Sequence, residues 1–275
     1  MGIDRIDFAW PEGKSGALTT SWDDGTIHDR RLVAMMNRYG IKGTWNLNSS
    51  SLGVDAQSSG WKSRVSAAEV ASLYAGHEVA AHSATHPSLS RIPDAQIRAE
   101  MLADRAALER LVGYPVTGMA LPNGAGGARV RDMLRACGFV HCRPVTTTQR
   151  FDLPEDFMDW LTTCHDSADL PALWTAFNKD RQSDKLFYLW GHSYEFDDRG
   201  DWDRMEAFCK MAGETPGIWH ATNMEICRYV TAWRSLVCTL DMSAVENPSG
   251  VTIWFRHGAE LRQVDPGRTV GVGKK

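Results

Sequence analysis

Two groups of side chains in this sequence have the types and spacing that chemistry requires. The first is the pair Asp23 and Asp24 in the stretch SWDDG, residues 21–25. Adjacent carboxylates raise each other's pKa, and neither is easily buried unpaired, so the doublet needs a partner. The second is His82-x-x-x-His86, whose imidazoles can reach one metal ion if the segment turns helically after His82. One Asp and two His form a metal site that leaves positions open for water and substrate.

The elements that must position these residues alternate between apolar β-type runs and helical periodicities. Strands are predicted at ALTTSW (17–22), GTWNLN (43–48), HEVAAH (77–82), VTGMAL (116–121), 138–143, LFYLWG (186–191) and 218–220. Helices are predicted near residues 29–39, 66–76, 93–113, 128–137, 169–178, 202–212 and 223–235. About seven βα units in succession predict an α/β fold with a parallel sheet, and a (β/α) barrel is the natural closure at that number.

The alternation of strand and helix patterns ends at about residue 236. The runs CTLDM and VTIWF are separated by the turn signals NPSG, HG and DPG. This pattern predicts a small β-rich appendage without helices. We therefore expect a catalytic barrel domain over residues 1–235 and a C-terminal extension over residues 236–275.

Polar residues end several of the predicted strands, which is where the chemistry of an α/β barrel gathers. These strand ends carry Asp23 with Asp24, then His82, then Pro122-Asn123-Gly124, and finally His192. Successive side chains of a regular strand point to opposite faces, so the aspartate doublet could not serve one site from within a strand. We expect it at a strand end, where Gly25 lets the backbone turn.

Composition excludes several classes of function. The formal net charge is -4 and no block of Lys or Arg stands out, so we expect neither nucleic acid nor a membrane surface as a partner. No apolar window approaches the roughly 18 residues of a membrane helix, and the first residues lack the pattern of a signal peptide, so the protein is expected to be soluble and cytoplasmic. Six cysteines without CxxC spacing predict buried, reduced thiols. The oligomeric state is left open, a homo-oligomer included.

The motifs SWDDG, HSATH, a Pro-containing strand end and LWGH, in this order, resemble those of the polysaccharide deacetylases (carbohydrate esterase family 4). The resemblance implies a distorted (β/α) barrel that removes acetyl groups from N-acetylated, or O-acetylated, sugars with the help of a divalent metal, zinc or else cobalt or nickel. By resemblance, Asp23 matches the general base and His192 the general acid, while Leu189 lines the acetyl pocket. The implied metal ligands are Asp24, His82 and His86.

Further site residues are expected around this set. The oxyanion of the reaction could be held by the metal and a backbone N–H, for which we predict that of Asn123. Trp160, in a segment similar to the family's DxxDW spacing, is a candidate wall for stacking on a sugar. The family's base-orienting arginine is replaced here by Ala120. Arg143, which ends the next predicted strand, is therefore the candidate to orient Asp23.

Three classes of function remain open. The leading class is a metal-dependent carbohydrate deacetylase, a hydrolase that acts on non-peptide C–N bonds. The second is another C–N hydrolase on the same scaffold, such as an allantoinase-like amidase, although the retained Asp24, His82 and His86 argue against a metal-free version. The third is a non-catalytic sugar-binding relative, which the missing arginine suggests. A non-haem iron oxygenase also uses two His and a carboxylate, but its usual all-β scaffold differs from the βα alternation here.

Overall fold

The computed structural model of the protein describes residues 5–272. In chain order, its strands are β1 (Asp7–Phe8), β2 (Gly16–Asp23), β3 (Thr44–Leu47), β4 (Glu78–Ala81), β5 (Gly118–Ala120), β6 (His141–Arg143), β7 (Cys164–His165), β8 (Leu186–Gly191), β9 (Ile218–His220), β10 (Val237–Cys238), β11 (Ala244–Glu246), β12 (Ile253–His257), β13 (Glu260–Val264) and β14 (Thr269–Gly271). Its α-helices are α1 (Asp29–Arg38), α2 (Ala56–Ser59), α3 (Val70–Leu73), α4 (Asp94–Val112), α5 (Ala128–Ala136), α6 (Leu170–Lys179), α7 (Ser193–Arg199), α8 (Trp202–Glu214) and α9 (Asn223–Arg234).

The central sheet is parallel and contains β2 to β9. Seven strands follow the order β6-β5-β4-β3-β2-β8-β7, and β9 pairs with the first half of β2. Beyond β6, the backbone N–H of Thr148 donates to the Thr162 carbonyl at 2.9 Å, and that of Thr162 donates to the Thr146 carbonyl at 3.2 Å, just before β7. The two ends of the strand order therefore meet, and the predicted distorted (β/α) barrel is confirmed.

Strand β2 lies between β3 and β8 in this sheet, and all eight of its residues are buried. Leu18 and Trp22 belong to the apolar core between the sheet and the helices. The alternate positions face the barrel interior, where the Ser21 hydroxyl accepts a hydrogen bond from Asn46 Nδ2 at 2.8 Å. Asp23 is the next residue on this interior face. The apolar face of β2 thus packs into the core, and its other face places the Asp23 carboxylate at the open end of the barrel.

Helix boundaries follow their capping residues. Helix α4 ends at Val112 because Gly113 takes the left-handed conformation with φ 75°. The predicted capping box of Ser66 and Glu69 is present, although it opens a 3-10 turn that leads into α3. Helix α7 was not predicted, because its seven residues show no clear apolar stripe and it begins directly after the strand-end residue His192.

The C-terminal strands form two small antiparallel sheets, β1-β12-β13 and β10-β11-β14, and residues 236–272 contain no helix, so the expected β-rich extension is confirmed over the described residues. Strand β1 comes from the other end of the chain and pairs Phe8 with Phe255. The Tyr229 hydroxyl of α9 joins these parts, because it donates to the Ala9 carbonyl at 2.6 Å and accepts from the Trp254 N–H at 3.0 Å. A domain boundary after residue 235 stays a prediction. Residues 1–4 and 273–275 of the two predicted domains lie outside the described residues.

Two expectations from composition can be compared with the fold. All six cysteines are free thiols, and five of them are buried, as predicted. Between residues 5 and 272, no helix combines the length and the apolar character needed to cross a membrane.

Candidate active site and metal centre

The aspartate doublet lies at a strand end, as predicted. Asp23 is the last residue of β2, and the backbone then turns sharply, because Asp24 and Gly25 have φ values of 79° and 62°. A left-handed backbone conformation at an aspartate costs on the order of 1 kcal/mol of free energy, and it persists only when the surrounding structure holds it in place. Here the Asp24 N–H donates to the Asn46 carbonyl at 3.0 Å, and the Arg64 guanidinium donates to the Asp24 carbonyl. The turn brings both carboxylates to one side, each with an oxygen 3.9 Å from His82 Nε2.

The two imidazoles converge beside Asp24. His82 follows β4 directly, its backbone N–H donates to the buried Asp104 carboxylate at 2.9 Å, and its Nδ1 lies 2.8 Å from the Ala120 carbonyl. Because a carbonyl oxygen only accepts, Nδ1 carries the proton and Nε2 presents a lone pair to the pocket. Burial lowers the pKa of His82, although the nearby carboxylates oppose this, and the shift favours the neutral ring. His86, with φ 63°, places its own Nε2 3.2 Å from that of His82.

The residues present fit a metal ion. His82 Nε2 and His86 Nε2 lie 3.9 and 3.7 Å from Asp24 Oδ1, and the three atoms form a triangle with sides between 3.2 and 3.9 Å. Metal–ligand bonds of about 2.0 to 2.2 Å in a tetrahedron separate neighbouring ligand atoms by roughly 3.3 to 3.6 Å. Two ring nitrogens at 3.2 Å also need a proton or a cation between them. A divalent cation satisfies the distances and neutralises Asp24 at once.

Asp23 has a different partner, the fully buried Arg143 at the end of β6. The guanidinium Nη2 donates to both carboxylate oxygens of Asp23, and Nε lies 3.2 Å from the Ser21 hydroxyl. Burial alone would raise the pKa of Asp23, but the charge of Arg143, with smaller help from His82 and His192, lowers it to about 2. In the sheet register, Arg143 pairs with Ala120, the position of the missing family arginine. A guanidinium from the neighbouring strand thus occupies the place beside the carboxylate.

His192 approaches the cluster from the opposite wall, directly after β8. Its Nε2 lies 3.8 Å from Asp24 Oδ2, and its Nδ1 lies 3.3 Å from Glu195 Oε1. Glu195 is fixed in turn by His165 Nε2 at 3.2 Å and Arg199 Nη1 at 3.3 Å. Burial lowers the pKa of His192, but the Glu195 carboxylate 3.3 Å from its Nδ1 and the charges of the two aspartates outweigh burial and raise that pKa. The ring is thereby biased toward the protonated form that a general acid requires.

These groups line one pocket of about 540 Å³ at the carboxyl ends of the strands. Its lining combines the predicted site residues with aromatic and polar side chains from the surrounding loops: Asp23, Asp24, Ser51, Trp61, Arg64, His82, Thr85, His86, Leu121, Asn123, Val145, Trp190, His192 and Tyr194. Asn123 belongs to the short turn after β5 and has φ 57°. The pocket therefore gathers the doublet, the His pair, Asn123 and His192.

Two predicted site residues lie elsewhere. Leu189 is fully buried in the core between the sheet and the helices, because its neighbours Tyr188 and Trp190 occupy the interior face of β8. It does not line the pocket, and Trp190 does. Trp160 is 1% exposed and packs against Tyr188, with ring centroids 4.7 Å apart, and it lines a separate cavity of about 310 Å³. Neither side chain lines the pocket that contains Asp23.

Sequence reasoning gave no role to three residues of the pocket wall, two in the loop before α3 and one in α7. Trp61, Arg64 and Tyr194 come from outside the recognisable motifs. The segment between β3 and α3 is rich in Ser and Gly, and a Trp-x-x-Arg within it is the one signal that could have marked this wall. His165 had no predicted role either, and its contact with Glu195 depends on α7, which was not predicted.

A family model of known proteins matches just under half of the chain. Residues 11–141 match the family model described as polysaccharide deacetylase. The matched segment contains the aspartate doublet and the His pair, and it ends before Arg143 and His192. No curated protein has a matching sequence.

Solved structures with the same fold include a probable polysaccharide deacetylase from Pseudomonas aeruginosa PAO1, which is 15% identical with a TM-score of 0.63 over 80% of this chain and 92% of that one. Puue allantoinase is 14% identical with a TM-score of 0.62, over 80% and 91% of the two chains. A family 4 acetyl xylan esterase from Clostridium thermocellum, solved with a cobalt ion, is 13% identical with a TM-score of 0.52, over 76% and 89%. Identities this low establish the fold. The family model covers residues 11–141, just under half of the chain, and its match agrees with the resemblance carried by the aspartate doublet and the His pair.

Proposed function

We propose that the protein is a metal-dependent deacetylase that hydrolyses the acetamido group, or an acetyl ester, of a small acetylated sugar. The observation that carries this proposal is the convergence of Asp24, His82 and His86 on one point, with Asp23 and His192 on either side. We assign Asp24, His82 and His86 as the ligands of a divalent metal. Zinc suits a site of two imidazoles and one carboxylate, with cobalt or nickel as alternatives.

Asp23 is the proposed general base. Arg143 keeps its carboxylate ionised at neutral pH and fixes its orientation, while Asn46 Nδ2 donates to Oδ1 at 2.9 Å. A metal ion at the adjacent ligands would lower the pKa of the attacking water and polarise the acetyl carbonyl, which is the chemistry that a base as weak as Asp23 requires.

His192 is the proposed general acid. Its Nε2 faces the cluster, so a proton on that atom can pass to the leaving amine nitrogen as the C–N bond breaks. Glu195 holds the opposite ring nitrogen and so fixes the direction in which the ring points. The backbone N–H of Asn123 is the proposed donor to the oxyanion, because this residue lines the same pocket.

Ala120 replaces the family arginine, but Arg143 donates hydrogen bonds to Asp23 in its stead. This contact favours an active enzyme over a vestigial sugar-binding site. An allantoinase-like amidase is the second candidate, and Puue allantoinase shares the fold. Substrate panels distinguish the two. We expect acetate release from acetylated sugars, abolished by a chelator and restored by zinc, cobalt or nickel, and no ammonia release from ureides.

Asp23→Asn and Asp24→Asn form a matched pair of variants for the proposed roles. Asp23→Asn is expected to keep its bound metal and lose roughly 10²- to 10⁴-fold in rate, because the base contributes about that factor. Asp24→Asn is expected to lose the metal itself, measured by elemental analysis after dialysis. If Asp23→Asn loses the metal and Asp24→Asn keeps it, the two roles are reversed.

A further inference from the structure

Arg64 is a cation in the pocket wall that the proposed reaction does not use. Its side chain is 11% exposed, it lines the pocket, and its guanidinium carbon lies 4.2 Å above the ring of Trp61. Trp61 is 40% exposed and meets Tyr194 edge to face at 5.0 Å. The cation therefore belongs to an aromatic rim of the kind on which sugar rings stack.

The hydrogen bonds of Arg64 leave one edge of its guanidinium open. Nη1 donates to the Asp24 carbonyl, whereas Nε and Nη2 have no hydrogen-bond acceptor among residues 5–272. Its nearest carboxylate oxygen is Asp24 Oδ1 at 3.8 Å, an atom assigned here to the metal. The other acidic neighbour, Asp29, already accepts hydrogen bonds from Ser193 and Tyr74.

The open edge is the one that recognises carboxylates. Nε–H and Nη2–H point in parallel and form a fork that matches the two oxygens of a carboxylate. Arg143, the other guanidinium near the pocket, has its donors committed to Asp23, Ser21 and the Pro144 carbonyl. Asp24, the carboxylate nearest to Arg64, is assigned to the metal, so an anionic group on a bound molecule would give the open edge of the guanidinium a partner of its own.

We propose that Arg64 binds a carboxylate of the substrate, so that the enzyme prefers an acetylated acidic sugar to its neutral counterpart. This inference rests on the proposed function, since it names the substrate class of the same site. The sugar ring would lie against Trp61 while its acetyl group reaches the Asp23 side of the pocket.

The test compares sugars that differ in one group. N-acetylglucosamine is the neutral probe, its 6-carboxylate and its 3-O-lactyl ether are the acidic probes, and its 6-phosphate tests for a different anion. We expect the wild-type protein to show a higher kcat/KM for at least one carboxylate probe than for the neutral sugar. Arg64→Gln should lower that acidic-to-neutral ratio by roughly ten- to a hundredfold, as expected for a hydrogen-bonded charge pair. Arg64→Lys, which keeps the charge without the fork, should give an intermediate ratio.

Arg64 also donates to the Asp24 carbonyl, so its replacement can disturb that turn and lower kcat/KM for both substrates equally. The ratio of acidic to neutral kcat/KM is therefore the quantity to measure. Lys62→Gln is the matched control, since Lys62 is a nearby cation already paired with Asp198, and it should leave the ratio unchanged. An equal loss for both substrates in Arg64→Gln, a wild-type ratio near one, or a preference for the phosphate would each overturn the inference.

A binding measurement separates this inference from the proposed function. Calorimetric titration of zinc-treated Asp23→Asn protein with the same probes reports the preference without turnover. Tighter binding of a carboxylate probe that disappears in Asp23→Asn/Arg64→Gln supports the inference even if no acetate is ever released. Equal binding of acidic and neutral probes refutes it, whether or not the deacetylase activity is found.

Discussion

Replacement of Arg143 by Met tests how much the ion pair with Arg143 stabilises the fold around the buried carboxylate of Asp23. Met fills much of the space of the arginine stem and removes every donor. In the wild-type protein the pair is almost fully shielded from water, with side-chain exposures of 0% and 3%. Removing one member of a buried pair leaves an uncompensated charge, which costs about 3 to 5 kcal/mol. We therefore expect Arg143→Met to lower the free energy of unfolding by that amount at pH 8.

The pH dependence follows from the direction of the pKa changes. In the wild-type protein, the pKa of Asp23 lies near 2 instead of the ordinary 3.8, a difference of roughly 2.5 kcal/mol in stability that is present above pH 4 and is lost as the pH falls toward 2. Without Arg143, burial raises the pKa of Asp23, and the carboxyl group can escape the penalty by taking up a proton. The deficit of the variant should therefore be smaller at pH 5 than at pH 8.

Urea unfolding of the metal-free proteins at both pH values measures this deficit. The double variant Asp23→Asn/Arg143→Met should be more stable than Arg143→Met alone at pH 8, because it no longer buries an unpaired charge. Arg129→Met is the matched control, since its ion pair with Asp94 is about half exposed and should contribute less than about 1 kcal/mol. A loss below 1 kcal/mol in Arg143→Met, or a deficit that does not change with pH, would refute the reasoning.

Three further predictions concern the metal, the acid and a buried aspartate. Zinc at a hundred times its dissociation constant should raise the free energy of unfolding of the wild-type protein by about 2.7 kcal/mol, but not that of Asp24→Asn; equal effects on both would place the metal elsewhere. Glu195→Gln should move the alkaline limb of the pH–kcat profile to lower pH, because the Glu195 carboxylate beside Nδ1 raises the pKa of His192; an unmoved limb contradicts the assigned acid. Burial raises the pKa of Asp29 to about 7, although hydrogen bonds from Ser193 and Tyr74 oppose this. The free energy of unfolding of the wild-type protein should therefore fall relative to that of Asp29→Asn as the pH rises from 4 through 7, by up to roughly 4 kcal/mol. Parallel plots of unfolding free energy against pH for the two proteins would refute this.

The sequence by itself determined the βα order of the barrel and the strand ends at which its polar groups sit. Runs such as LFYLWG and the αL cap at Gly113 are local signals, because hydrophobic periodicity and capping depend on neighbouring residues alone. The doublet at the end of β2 could be placed for the same reason, since one Gly after two Asp marks where a strand must turn. That Arg143 could replace the missing arginine also followed from strand order, as a hypothesis.

Only the tertiary structure decided which way buried side chains face. Strand β8 is apolar on both faces, so periodicity could not tell that Trp190 enters the pocket and Leu189 does not. The register that sets Arg143 beside Ala120 depends on pairing between strands more than twenty residues apart. Arg64 reaches the pocket because its loop pairs with the segment that follows β2, where the Val65 N–H donates to the Gly25 carbonyl at 2.9 Å. Local sequence patterns determine the helices and strands and where they end. Contacts between distant segments depend on how the barrel closes, and those contacts determine which side chains line the site.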